Sequence, residues 1–252
     1  MLKPIYFLLC LLIIPTSFAG KGRTGFSIFI DQEDELFLKA GLIVPNERSW
    51  LKQSLLWGPA SLANYVQLVR QKKNLRVIDH KKLVKGIAQA STQMSSSGYN
   101  LSQGLTANEF IKFSDIFLRK LAPGTKLKGE YEGIDTGVDI ETLFSDAPSI
   151  VILKFFSHGV SNEKIFNPNE DTHIFIKENG HMYGYLYFLK VKADKEQNKL
   201  WLIDPSNPSE WTIITLSPNL GVSTDSFDMG STDRWTFGTF MRWSLAGNLV
   251  PY

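Results

Sequence analysis

The chain has almost no cysteine. Cys10 is the only one, and it lies in an apolar run near the N-terminus. Once that run is removed, no thiol is left for a disulfide, a cysteine-ligated metal or a cysteine nucleophile. Histidine is scarce as well: His80, His158, His173 and His181 are the full set. His158, Asp171, His173 and His181 lie on separate segments with no close ligand pair on one helix face, so no metal is expected, nor any other cofactor.

An excess of one charge sign is also missing. Lys and Arg total 27 against 25 Asp and Glu. That balance offers no overall field to draw nucleic acid or an acidic membrane surface, so neither is an expected partner. The leading hydrophobic run, residues 5–14, falls short of the roughly 20 residues that a bilayer span needs. What is present is 43% hydrophobic and 21% charged, enough for a real core in a globular chain of this length. No internal repeat, low-complexity tract or inter-domain linker interrupts it.

Residues 1–19 have the layout of a secretory leader. Lys3 supplies the positive start, residues 5–14 the apolar stretch, and Ser17, Phe18 and Ala19 lead to a cut before Gly20. Cleavage removes Lys3 and leaves 26 cations against 25 carboxylates, a net +1. The expected organisation is a signal peptide over 1–19, an N-terminal extension over 20–48 and one main domain over 49–252. The mature protein would be periplasmic or extracellular, without stable membrane insertion.

The pattern along the chain changes from helical to extended. Residues 25–30 alternate as a strand would. Pro59 suits the first position of a helix that runs to about Lys72, with Leu62, Val66 and Val69 on one apolar face. A second helix is expected over 79–90, followed by a small polar loop over 91–98. Thr106 and Glu109 form a capping box ahead of Phe110, Phe113, Phe117 and Leu121. Asp139 can cap a short helix. Residues 149–156 read as a central strand buried on both faces. Strands are also expected at 172–177, 181–192, 199–203 and 211–216, with residues 193–198 as a hairpin turn. The aromatic residues over 236–248 suggest a closing helix. Helices followed by antiparallel strands predict an α+β domain. Tyr183, Tyr185, Tyr187 and Trp201, at period two, read as one sheet face against the core.

The stretch from Gln53 to Tyr65 organises the rest. It is a loop that becomes a helix, and the first turn of a buried helix stabilises a thiolate or an oxyanion. The residue there is Trp57, which cannot attack anything. Further on, Gly180 and His181 begin a strand, and Asp204 and Pro205 end the strand expected to pair with it. A nucleophile position, then His, then Asp is the chain order of papain-like cysteine enzymes, in which the third residue orients the imidazole.

At these residues the chain resembles the bacterial C39 and C39-like peptidases. Gln53, then Trp57-Gly58-Pro59-Ala60, then Gly180-His181, then Asp204-Pro205 follow that family's order. Gly104-Leu105-Thr106 and the run from Asp146 to Ile152 resemble two further segments of it. The likeness covers roughly Gln53 to Trp211. It implies a papain-like fold, N-terminal helices packed on a C-terminal antiparallel sheet, with residues 49–252 as the peptidase-like domain. It makes His181 the general base, Asp204 its orienter and Gln53 the oxyanion-hole residue, with Trp57 where the family has cysteine.

Some C39-like domains that lack the cysteine, attached to export transporters, bind their polypeptide without cutting it. The resemblance therefore implies an inactive, exported protein that binds an extended peptide or protein segment. The alternative is an active hydrolase or acyl transferase using Ser54, Ser61 or a water activated by His181.

Overall fold

The computed structural model describes residues 28–31, 35–42, 56–99, 105–121, 128–134, 143–157, 175–178, 181–216, 222–224 and 235–246. The leader, Gln53, Ser54 and the Asp139 turn lie outside these residues.

Helices come first: α1 (Glu35–Lys39), α2 (Trp57–Lys72), α3 (His80–Ser96) and α4 (Ala107–Leu121). Eight strands follow: β1 (Lys128–Ile134), β2 (Ser149–Ser157), β3 (Phe175–Glu178), β4 (His181–Asp194), β5 (Lys199–Ile203), β6 (Trp211–Leu216), β7 (Val222–Thr224) and β8 (Trp235–Ala246). They form one sheet in the order β1-β8-β2-β4-β5-β6-β7, with β3 alongside β4 off that path. Each pairing is antiparallel. The protein is of the α+β class. None of the described helices is long and apolar enough to cross a membrane.

The helices pack by the residues their periodicity nominates. In α4, Phe110, Phe113, Phe117 and Leu121 are buried, each large side chain worth about 1.5–3 kcal/mol of transfer energy. Its capping box is formed in both directions. The Thr106 N–H donates to Glu109 Oε2 at 2.8 Å, and the Glu109 N–H donates to Thr106 Oγ1 at 3.2 Å. In α3 the Asp79 side chain accepts from the Lys81 N–H at 2.9 Å. That helix continues through the expected polar loop to Ser96, because Ala90 and Met94 still face the core, and Gly98 at φ +86 lies just past its end.

Helix α2 differs from its sequence reading in where it begins and in what it buries. It begins at Trp57, so Pro59 is its third residue and not its first, and 12 of its 16 residues are buried. A polar stripe at spacing three runs through it. Ser61 Oγ donates to the Tyr187 carbonyl at 2.8 Å. The Asn64 amide accepts from the Ile30 N–H at 2.7 Å and donates to the Ile30 carbonyl at 3.0 Å. Gln67 does the same with Ile78, at 2.9 and 2.7 Å. Arg70 Nε donates to the Arg76 carbonyl at 2.7 Å. Buried polar side chains are thus spent satisfying backbone groups that would otherwise be orphaned.

Residues 28–30 do not form the expected strand. They run as an irregular segment pinned by Asn64 and Gln67. Phe29, Ile30 and Phe37 join the same hydrophobic core as α2, α3 and α4.

The expected closing helix over 236–248 is instead strand β8, lying between β1 and β2. Its aromatic and threonine-rich composition suits a strand flanked on both sides. Strands β2, β5 and β6 fall within a residue of their expected limits.

Candidate functional site

The start of α2 meets the second half of β4 through aromatic rings. Gly58 permits the approach: a Cβ there would lie 3.2 Å from Phe110 Cδ2 and 3.6 Å from Tyr187 Cδ2. Phe110 and Tyr187 contact each other at 4.9 Å between centroids. Tyr187 is fixed at both ends, its carbonyl accepting from Ser61 and its hydroxyl donating to the Leu105 carbonyl at 2.6 Å. Trp57 is half-buried and sits 6.3 Å from the Phe188 ring, tilted by 39°. Its indole N–H is shielded from water and has no hydrogen-bond partner among the described residues.

Asp204 follows the last paired residue of β5. It is 7% exposed. Its Oδ1 accepts from the Ser206 N–H at 2.8 Å, and its carbonyl accepts from the Asn207 N–H at 3.0 Å, so the chain turns sharply here. Burial pushes the Asp204 carboxyl above its ordinary value. Hydrogen bonding to Ser206 pulls the other way, and the neighbouring Asp31 carboxylate pushes it up further. Asp31 is brought there by Ile30, which Asn64 holds against α2.

The sheet register decides which residues face Asp204. In the β4–β5 hairpin Asp194 pairs with Lys199, and Leu189 with Ile203. One step further puts Asp204 beside Phe188. His181 is the first residue of β4 and pairs with Glu178 of β3. It stands seven residues from Phe188, about 23 Å along an extended strand. The expectation that the hairpin brings His181 and Asp204 to one open end is therefore corrected: β4 is too long, and its first part belongs with β3.

Trp57, Phe188 and Asp204 are what the helix start, the strand and its neighbour bring together. Ser61 is wholly buried with its hydroxyl committed to Tyr187, which leaves it no path to a substrate. Gln53, Ser54, His158, Asp171 and His173 lie outside the described residues. Among the described residues no group of three or more His, Cys, Asp or Glu is placed to hold a metal ion. The described groups offer one partly exposed indole ring, whose N–H is turned inward, and one buried carboxyl of raised proton affinity.

Sequence reasoning passed over Phe188. Counting outward from the turn at residues 195–198 gives Leu189 opposite Asp204; the irregularity between Lys190 and Lys192 shifts the register by one residue and puts Phe188 there instead. Tyr187, expected as one of several rings on a sheet face, is the residue that receives Ser61, Phe110 and Gly58.

No protein-family model matches the chain, and no curated relative is found for it.

Proposed function

We propose that this is an exported, non-catalytic protein on a C39-like, papain-type scaffold that binds an extended peptide or protein segment. One observation carries the reading. The helix start and the strand, which in papain-like enzymes carry Cys and His, contact each other here through Trp57 and Phe188, and the register carried one step past Ile203 sets Asp204 opposite Phe188. The element order supports it too: a buried helix opens the domain and an antiparallel sheet follows.

The chemistry of the meeting point suits binding. The partly exposed Trp57 ring, backed by the buried Phe188, supplies apolar area. Among the described side chains Asp204, an acid with raised proton affinity, has no thiol or imidazole beside it to form an attacking pair.

The test is capture from a peptide library by the purified protein, with every retained peptide weighed by mass spectrometry. The expected result is retention of intact peptides, weakened at least about tenfold by Trp57→Ala, roughly the 1.4 kcal/mol that one lost interface anchor removes. A melting curve of the variant confirms that it is folded. Cleaved products that disappear in His181→Ala would establish the hydrolase instead, and a library from which nothing is retained would end the binding reading.

A further inference from the structure

At the other end of α2 the surface is of a different kind. The C-terminal turn of α2, residues 76–79, the first turns of α3 and the last turn of α4 enclose a cavity of about 690 Å³. Arg70, Arg76, Lys82, Lys85 and Lys120 line it, with Asp79 as the single carboxylate. Five cations less one anion leave four positive charges in one cleft, twice the formal +2 of the whole chain. The near-neutral total hides this concentration.

Four of the five cations are uncompensated among the described residues. Among the described residues the ion pair shown is Lys39 with Glu35, on α1. Arg76, Lys82, Lys85 and Lys120 have no carboxylate partner there. Asp79 is engaged elsewhere, its carboxylate capping the Lys81 N–H. Arg70 is 3% exposed and held in place through the Arg76 carbonyl, so the wall is built and not merely a set of flexible tips. Crowding like charges into one cleft without counter-charges costs stability. An anionic occupant removes that cost.

We propose that this cleft binds a small molecule or headgroup carrying two or more phosphate groups. Three features select that chemistry. The volume lies in the usual range for small-molecule sites. Compact ammonium groups from Lys82, Lys85 and Lys120 surround the space, and together with Arg76 they suit phosphate oxygens approached from several sides. The charge count exceeds what one monoanion neutralises. The site is distinct from the Trp57 region, since Gly58 and Arg70 are twelve residues apart on one helix, about 18 Å.

The test is calorimetric titration of the purified protein with inorganic tripolyphosphate, inorganic phosphate and citrate, at low and raised salt. Tripolyphosphate is expected to bind at least about tenfold more tightly than either of the other two, with affinity falling as salt rises. The Lys82→Glu/Lys85→Glu double variant, at two exposed positions, is expected to lose at least about tenfold in affinity with its melting temperature unchanged. Lys195→Glu, in the distant β4–β5 turn, is expected to bind as the parent does. Flotation with phosphatidylcholine vesicles, with and without a bisphosphorylated inositol lipid, separates the two sources. Capture by the doped vesicles alone, lost in the double variant, identifies a headgroup; tripolyphosphate binding without capture identifies a soluble ligand. No tripolyphosphate binding at low salt, binding untouched by the charge reversal, or citrate binding as tightly would each overturn the assignment.

Discussion

The two ends of α2 are built on opposite principles. At its start, aromatic rings close around a glycine, and a buried carboxyl of raised proton affinity stands nearby. At its finish, five cations surround an open cavity. The helix dipole is consistent with both arrangements, favouring negative groups near the first turn and positive groups near the last. What differs is packing. The first end is filled by the protein's own side chains, so its residues hold the fold together. The second is left open, so Arg76, Lys82, Lys85 and Lys120 face a space that the protein does not fill. Substitutions of the buried rings at the first end should therefore be read in stability, and those at the partly exposed Trp57 and at the second end in binding.

Phe110→Ala should break the filled end most severely. The ring is fully buried against Gly58 and Tyr187, and its loss should cost about 3–5 kcal/mol in urea unfolding. Asn64→Ala comes next. It strands the Ile30 N–H and carbonyl together, for an expected loss of about 2 kcal/mol or more in the same assay. It should also free residues 28–31 to exchange amide hydrogens faster.

Asp204→Asn sharpens the comparison by pH. Because burial raises the folded carboxyl's proton affinity, the folded state binds this proton more tightly than the unfolded state does. Its contribution is thus fully present below the unfolded value of about 4 and is lost as pH rises through the folded one. The Asn variant keeps the Oδ1 that accepts from Ser206 but lacks the titration. Its stability, plotted as the difference from the parent, should rise with pH across that window and then level off. A flat difference curve would remove Asp204 from the account. The smallest effect belongs to the open end: Lys85→Gln should leave unfolding energy within about 0.5 kcal/mol of the parent while weakening tripolyphosphate binding.

A restored thiol probes the filled end differently. Trp57→Cys alone should alkylate with iodoacetamide at an ordinary thiol rate, since the residue beside Asp204 is Phe188. Trp57→Cys/Phe188→His should react at least about tenfold faster near pH 6.5, because an adjacent imidazolium and a helix N-terminus lower a thiol's pKa. Equal rates would remove support for the papain-type geometry.

Local signals in the sequence were reliable where the partner was also local. Thr106 and Glu109 are three residues apart, and their capping box is formed as read. Strand β5 and the turn that precedes it depend on a short hairpin, and Lys199–Ile203 was legible to the residue. The failures involve partners far along the chain. Ser61, Asn64 and Gln67 are polar and lie outside the apolar set of Leu62, Val66 and Val69, so nothing local marks them as core. They are buried because their partners are Tyr187, Ile30 and Ile78, at separations of up to 126 residues. The 236–248 segment was ambiguous by spacing alone, since Phe237, Phe240, Met241 and Trp243 fit a helix face as well as a strand. Its insertion between two other strands resolved it. The Trp57 position was visible from sequence, whereas Phe188 opposite it required the register. The basic cleft was invisible because Arg70, Lys85 and Lys120 are contributed by three different helices.

The placement of β8 has a consequence for assembly. It follows every other strand in chain order, yet it separates β1 from β2 and supplies β1 with its one partner among the described residues. Those pairings span roughly 100 positions, the kind of long-range closure that sets a slow pace for folding. Until it docks, β2 is unpaired along one side and β1 has no ladder at all. A nascent or truncated chain would then display two sticky edges at once, an invitation to self-association that ends only when the last strand slots home.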